Sequence, residues 1–211
     1  LNVGAIELSY DALVRDDDLS ADIERAFGTD GIGLLTVSGV PGLAEARAKL
    51  LPLSQRFASL PEDVRASYEN PSAFYSRGWS HGREKVQGRF DFAKGSYYAN
   101  PLHNKPVDDE ALIKRYPTFA APNVWPTDDV PEFEEAFMTA GRLMSEVGCL
   151  VATQCDRFVA KRLSTYPSDR LGAIMRKSRC CVGRLLHYFP TEAEPSATDA
   201  APKDEARAAD G

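Results

Sequence analysis

Histidine is scarce in this sequence. There are three in 211 residues, at His81, His103 and His187, and that scarcity restricts metal chemistry. A two-histidine, one-carboxylate iron site built on a strand needs His-x-Asp or His-x-Glu, so that both ligands share a face. His81 is followed by Gly82-Arg83, His103 by Asn104-Lys105 and His187 by Tyr188-Phe189, so none has the pattern. His81 and His103 read as loop histidines and His187 as a packed strand residue. Cysteine is as sparse: Cys149, Cys155, Cys180 and Cys181 form no Cys-x-x-Cys pair. Six-residue spacing on a helix puts Cys149 and Cys155 on different faces, and adjacent strand residues point opposite ways, which argues against zinc. Free thiols in small core positions of a cytoplasmic, reducing environment are the expectation.

Basic residues are in deficit, 25 against 31 acidic, for a net charge of −6. A phosphate-tracking surface is usually basic, so a nucleic-acid partner is not expected. No run of about 18 apolar residues occurs, which excludes a membrane-spanning helix. Leu1–Ile6 lacks the basic start and apolar run of a secretory signal. The first residue is Leu1 rather than Met, as expected of a processed chain or one that begins inside its gene. No internal repeat is visible. Gly28, Gly31 and Gly33 invite a nucleotide-loop reading, but they follow a helix and precede a strand. A phosphate loop needs the reverse order, with a helix N-terminus facing the phosphate.

What is present is enough apolar residue, 43%, to build a core. Ala5–Leu8 reads as a short strand. Ser20 reads as the N-cap of a helix through Phe27, ended by Gly28. Gly31–Val37 reads as a buried strand. A helix follows Pro41-Gly42 through Ser59, where Pro52 predicts a kink or break. Pro61 suits the first turn of another helix, to about Tyr68. Residues 70–105 interleave glycine, aromatics and charge, which predicts loops and short strands, and 117–131 is again irregular.

Apolar spacing then predicts the longest helix, Glu132 to Lys161, with Phe137, Ala140, Met144, Val147, Val151, Cys155 and Phe158 on one buried stripe. Leu171–Ile174 suggests one more turn. Cys180–Pro190 reads as a strand, with Val182, Arg184, Leu186 and Tyr188 on one face. Both faces are largely apolar, so cover is expected on both sides. Thr191–Gly211, with six acids, two basic residues, seven alanines and two prolines, reads as a solvated acidic loop or linker. The domain organisation expected is therefore 1–190 and 191–211.

No Ser-His-Asp or Cys-His pairing follows from spacing. Asp63, Glu84, Asp91 and Lys94 read as solvated or loop-anchoring charges. Phe74, Tyr75, Trp79, Tyr97 and Tyr98 read as core packing beneath a loop, with a pocket lining as the alternative. Arg184 and Tyr188 are more informative. A guanidinium and a phenol on one strand face need partners if they are covered, and a carboxylate-bearing ligand is one such partner.

In order, Ile6-Glu7-Leu8, Asp30-Gly31-Ile32-Gly33-Leu34-Leu35-Thr36-Val37, Phe57-Ala58-Ser59-Leu60-Pro61-Glu62, Gly78–Glu84, Lys94–Tyr98, Asn123–Pro126 and Arg184-Leu185-Leu186-His187-Tyr188 carry a resemblance. The chain resembles the N-terminal part of the isopenicillin N synthase-like Fe(II)- and 2-oxoglutarate-dependent oxygenases, in the clavaminate synthase-like plant and algal subgroup. The resemblance implies an α+β fold, the helix-rich N-terminal region of a double-stranded β-helix (jelly-roll) oxygenase with the β-helix truncated. It implies Tyr188 as a contact of 2-oxoglutarate, with Arg184 beside it. Phe189 before Pro190 departs from a pattern in which many members run Tyr directly into Pro. In that family the His-x-Asp, the distal His and an Arg-x-Ser lie beyond this strand.

The resemblance therefore implies Fe(II) and 2-oxoglutarate in an intact enzyme acting on a small organic substrate. This chain alone is expected to be inactive, with neither group bound and no metal or catalytic residue of its own. The competing reading is a non-catalytic binding or regulatory protein that kept the N-terminal module.

Overall fold

A 28-residue helix, Phe133–Ala160, about 42 Å long at 1.5 Å per residue, is the spine of the chain. A computed structural model describes residues 4–190. In chain order the elements are β1 (Ile6–Ser9), α1 (Tyr10–Val14), α2 (Ser20–Phe27), β2 (Leu35–Ser38), α3 (Leu43–Ala58), α4 (Glu62–Ser67), β3 (Gly78–His81), β4 (Lys85–Val86), β5 (Arg89–Phe90), β6 (Lys94–Ala99), α5 (Glu110–Arg115), α6 (Pro117–Ala120), the spine α7, α8 (Arg170–Lys177) and β7 (Gly183–Tyr188). The mixture of helix and strand is the one expected. The acidic 191–211 loop or linker falls outside the described residues.

The spine serves two cores in succession. Its first half gives Phe133, Phe137 and Ala140 to a cluster with Leu50 and Phe57 of α3 and Trp79, Tyr97 and Leu185 of the sheet. Its second half lays Leu150, Val151, Cys155 and Phe158 against Leu8, Leu13 and Ile23. One continuous inward stripe was expected, and Met144 breaks it, 65% exposed. The helix changes partners there, so the face that is inward for one core turns outward between the two. Phe57 centres the first cluster, with ring centroids 5.2 Å from Trp79, 5.0 Å from Tyr97 and 5.9 Å from Phe133. Burial of such rings contributes about 1.5–3 kcal/mol each.

Several local expectations shift. Gly31–Leu34 is not strand: Ile32 and Leu34 are exposed, and only Leu35–Ser38 pairs, in parallel, with β1. The N-cap of α2 is Leu19, one residue before Ser20, whose hydroxyl and N–H both bond Asp18. Pro52 lies inside α3 without ending it. It sits on the exposed side, where the missing N–H leaves a carbonyl that water can reach. The turn expected at Leu171–Ile174 is a full helix. The four cysteines are free, as expected, but all are half-buried rather than core residues.

The central sheet has the order β3-β6-β7, antiparallel throughout. Its register pairs Trp79 with Tyr97 and Tyr97 with Leu185, and puts all three on the face packed against α3 and α7. Gly95 is required there, because a Cβ would lie 1.9 Å from the Trp79 ring. Asn100 fixes the exit from β6: its Nδ2 donates to the Arg179 carbonyl at 2.6 Å and its Oδ1 accepts from the N–H groups of Leu102 and His103. That bond ties the segment entering β7 to the end of β6, which holds the register of the third strand. No helix among the described residues is long and apolar enough to cross a membrane.

Candidate functional site

Alternation along the strands leaves the second face of the sheet to Ser80, Lys94, Ser96, Tyr98, Arg184, Leu186 and Tyr188. Cover on both faces of β7 was expected, but the described residues cover one. That second face is polar and organised: it is exposed along β7 at Arg184 and Tyr188, while Ser80 and Ser96 are buried within it.

Arg184 is its best-connected member. Its guanidinium donates to Glu84 Oε1 at 2.8 Å and to Ser96 Oγ at 2.9 and 3.1 Å, and lies over the Tyr98 ring, 5.2 Å from the centroid. The Tyr98 hydroxyl donates to the same Glu84 oxygen at 3.0 Å. Lys94 Nζ reaches Glu84 Oε2 and Asp91 Oδ2, each at 3.2 Å. Asp91 is fixed by its own backbone surroundings: its N–H donates to the Glu84 carbonyl and its Oδ1 accepts from Ala93 N–H. The Gln87-Gly88 turn, with φ of 50° and 80°, reverses the chain between β4 and β5 as a left-handed hairpin turn does. It thereby returns Glu84 and Asp91 to one place.

The electrostatics follow from this geometry. Burial pushes the Glu84 carboxyl up, but hydrogen bonds from Tyr98 and Lys94 and the charge of Arg184 more than offset it, leaving it below the ordinary range. The Ala93 N–H and Lys94 lower Asp91. The hydrogen bonds to Glu84 and Asp91 raise Lys94. Burial, then the bond to Glu84, raises Tyr98, which stays a neutral donor.

Arg184 and Tyr188, the two residues singled out from the sequence, do share this face. They are four residues apart, about 13 Å along the strand, with Leu186 between. Arg184 has a carboxylate partner within the chain, Glu84. Tyr188 is 67% exposed and has no hydrogen-bond partner among the described residues. Glu84, Asp91 and Lys94 are loop-anchoring charges, as expected, but the loop they anchor borders the open face. Ser96 carried no signal in the sequence, since only the β6–β7 register brings it to Arg184. The aromatic cluster divides. Trp79 and Tyr97 are core, whereas Phe74, Tyr75 and Tyr98 border a cavity.

The histidines lie elsewhere. His81 and His187 are on the packed side of the sheet, with Phe189 between them, 4.8 Å from each ring. Burial and the nearby Arg65 charge push the His187 imidazole below its ordinary range. Among the described residues no three His, Cys, Asp or Glu side chains are grouped to hold a metal ion. The described residues therefore do not fit an iron site. The Tyr188 hydroxyl, exposed and without a partner among the described residues, is free to donate a hydrogen bond.

Residues 3–128, more than half of the chain, match the family model described as non-haem dioxygenase in morphine synthesis, N-terminal. Solved structures share the fold. A Caulobacter crescentus protein assigned to the 2OG-Fe(II) oxygenase family is 18% identical with a TM-score of 0.67, over 94% of this chain and 60% of that one. A Neurospora crassa protein, truncated at its C-terminus and in apo form, is 16% identical with a TM-score of 0.61, over 92% of this chain and 66% of that one. The full-length form of that Neurospora protein, in complex with alpha-KG, is 19% identical with a TM-score of 0.58, over 89% of this chain and 56% of that one. The chain thus spans about 60% of the first of these relatives. No curated protein matches the sequence.

Proposed function

The chain belongs to the non-haem dioxygenase N-terminal family, and on that premise we propose that it forms the N-terminal part of an Fe(II)- and 2-oxoglutarate-dependent dioxygenase that oxidises a small organic substrate. The observation that carries this reading is the one-sided sheet. One face of β3-β6-β7 is sealed by α3 and α7, and the other presents an ordered polar surface to whatever lies above it. In this reading the sheet opens a double-stranded β-helix, and residues outside those described contribute its remaining strands and the iron ligands.

No catalytic step is assigned to the described residues, because they do not fit iron. Their work is positioning. The α3–α7 layer buttresses the sheet. Tyr188 donates its hydroxyl to a carboxylate of 2-oxoglutarate, the oxidisable co-substrate. Arg184 is a positioning residue: Glu84 and Ser96 hold its guanidinium along the sheet, and it in turn fixes Glu84 and the loop that borders the face on which Tyr188 stands. Small-molecule chemistry suits this surface better than nucleic acid, since its cations are already matched by Glu84 and Asp91.

The test is the reading frame beyond Gly211. The account expects His-x-Asp within a few tens of residues, then a distal His and an Arg-x-Ser. A frame that closes without them overturns the dioxygenase reading and leaves the binding or regulatory protein in its place.

A further inference from the structure

At its Tyr98 end the open face runs into a cavity of about 480 Å³ whose lining includes Phe74, Tyr75, Ser80, Phe90, Tyr98 and Val182. Three observations bear on what it holds.

The first is a strained wall. Phe74 and Tyr75 are successive aromatic residues with left-handed backbone, φ of 53° and 58°, a conformation that persists only where the surroundings impose it. They do so here. Tyr75 N–H donates to the Asn70 carbonyl at 3.0 Å. The Ser76 hydroxyl lies within bonding distance of the Ala73 and Thr118 carbonyls. Arg77, wholly buried, donates to the carbonyls of Ser76, Phe119 and Ala121 at 2.7, 3.0 and 3.2 Å. A buried cation whose hydrogen bonds all go to backbone carbonyls is an unusual clamp, and what it clamps is the strained corner. The Phe74 ring is consequently held out at the cavity, 74% exposed.

The second is charge balance. Arg83 is paired with Glu69 at 2.8 Å, and Glu84, Arg184, Lys94 and Asp91 form a closed set of two cations and two anions. Cations already lie over the rings of Tyr75, Phe90 and Tyr98, at 4.6, 4.7 and 5.2 Å. The two charged residues of the lining, Arg83 and Glu84, are thus already paired, and although Lys85 over Phe90 has no carboxylate partner among the described residues, a cationic ligand would meet cations already in place. The third is Ser80, buried in the lining, whose hydroxyl makes no hydrogen bond among the described residues.

We propose that this cavity binds an uncharged aromatic ring carrying a hydrogen-bonding substituent, with the ring against Phe74 and Tyr98 and the substituent on Ser80. Identifying that ring with part of the oxidised substrate rests on the dioxygenase reading; the binding does not.

The test is a ligand-observed NMR titration of the 211-residue chain, without iron or 2-oxoglutarate, using phenol, benzoate, benzylammonium and cyclohexanol. Phenol is expected to bind about tenfold tighter than each of the other three, since cyclohexanol loses ring stacking and the two ions must shed water around a charge. Phe74→Ala is expected to weaken phenol about threefold to tenfold. Ser80→Ala should weaken it about threefold, with thermal melts showing that both variants fold. The proposal is overturned if phenol does not bind, if any comparison compound equals it, or if Phe74→Ala or Ser80→Ala binds it as the parent does. Because no turnover is read, failure here leaves the dioxygenase reading standing, and absent turnover would leave this proposal standing.

Discussion

Arg184 and Glu84, one hundred residues apart in sequence, meet at 2.8 Å over the open face of the central sheet. Their contact joins the last strand to the hairpin loop and shares the Glu84 oxygen with Tyr98. It organises the surface more than it stabilises the fold. The two side chains are 34% and 41% exposed, and ion pairs so accessible contribute about 0–1 kcal/mol.

Arg184→Gln is accordingly expected to change stability by less than about 1 kcal/mol while moving Glu84. With one of the offsetting charges gone, the Glu84 carboxyl should titrate higher than in the parent, where it lies below the ordinary range. Carboxyl-detected NMR across acid pH checks this. A Glu84 midpoint unchanged by the substitution would show that Arg184 does not govern it.

Gly95→Ala places a methyl 1.9 Å from Trp79, inside a cluster that also holds Phe57 and Tyr97. Overpacking of this kind costs about 1–3 kcal/mol. Chemical denaturation should show that loss, with the near-ultraviolet signal of the tryptophan altered. Gly183→Ala, with its nearest contact at 3.0 Å to the Phe137 ring edge, should cost less.

Asp156, wholly buried on α7, accepts from Leu171 N–H and Gly172 N–H, each at 2.9 Å, and from the Tyr166 hydroxyl at 2.6 Å. Burial pushes its carboxyl up, and these bonds overcome that and lower it. A lowered folded-state value means that the contribution is complete above the unfolded carboxylate value, about 3.9. It is lost as pH falls through the folded value. Asp156→Asn should therefore cost about 2–3 kcal/mol near neutrality and flatten the dependence of stability on acid pH below about 3.9. Denaturation midpoints at a series of pH values measure both.

The parts of the fold legible in the sequence are those governed by local periodicity. Apolar spacing predicts the spine at Glu132–Lys161 and it runs Phe133–Ala160, because apolar residues recurring at helical spacing over about six turns leave little ambiguity. The strand with Arg184 and Tyr188 on one face follows from alternation alone. Met144 is misplaced by the same spacing, because no local pattern reveals that one helix serves two cores. Ile32 and Leu34 look like strand in composition, yet Gly31 and Gly33 turn the backbone there. The open-face network is out of reach for a different reason. Ser96, Glu84 and Arg184 meet only through the register of β6 on β7 and the hairpin that returns Glu84, both of which are long-range relationships.

The central claim is that Tyr188 faces a 2-oxoglutarate carboxylate in a larger dioxygenase. It is tested most directly by iron-dependent release of succinate from 2-oxoglutarate by the whole polypeptide that contains this chain, with and without Tyr188→Phe. The account predicts release by the whole polypeptide, none by the 211-residue chain alone, and a KM for 2-oxoglutarate raised about tenfold by Tyr188→Phe, the loss of one hydrogen bond to a charged group. No release by the whole polypeptide, release by the 211-residue chain, or an unchanged KM in the variant would contradict it.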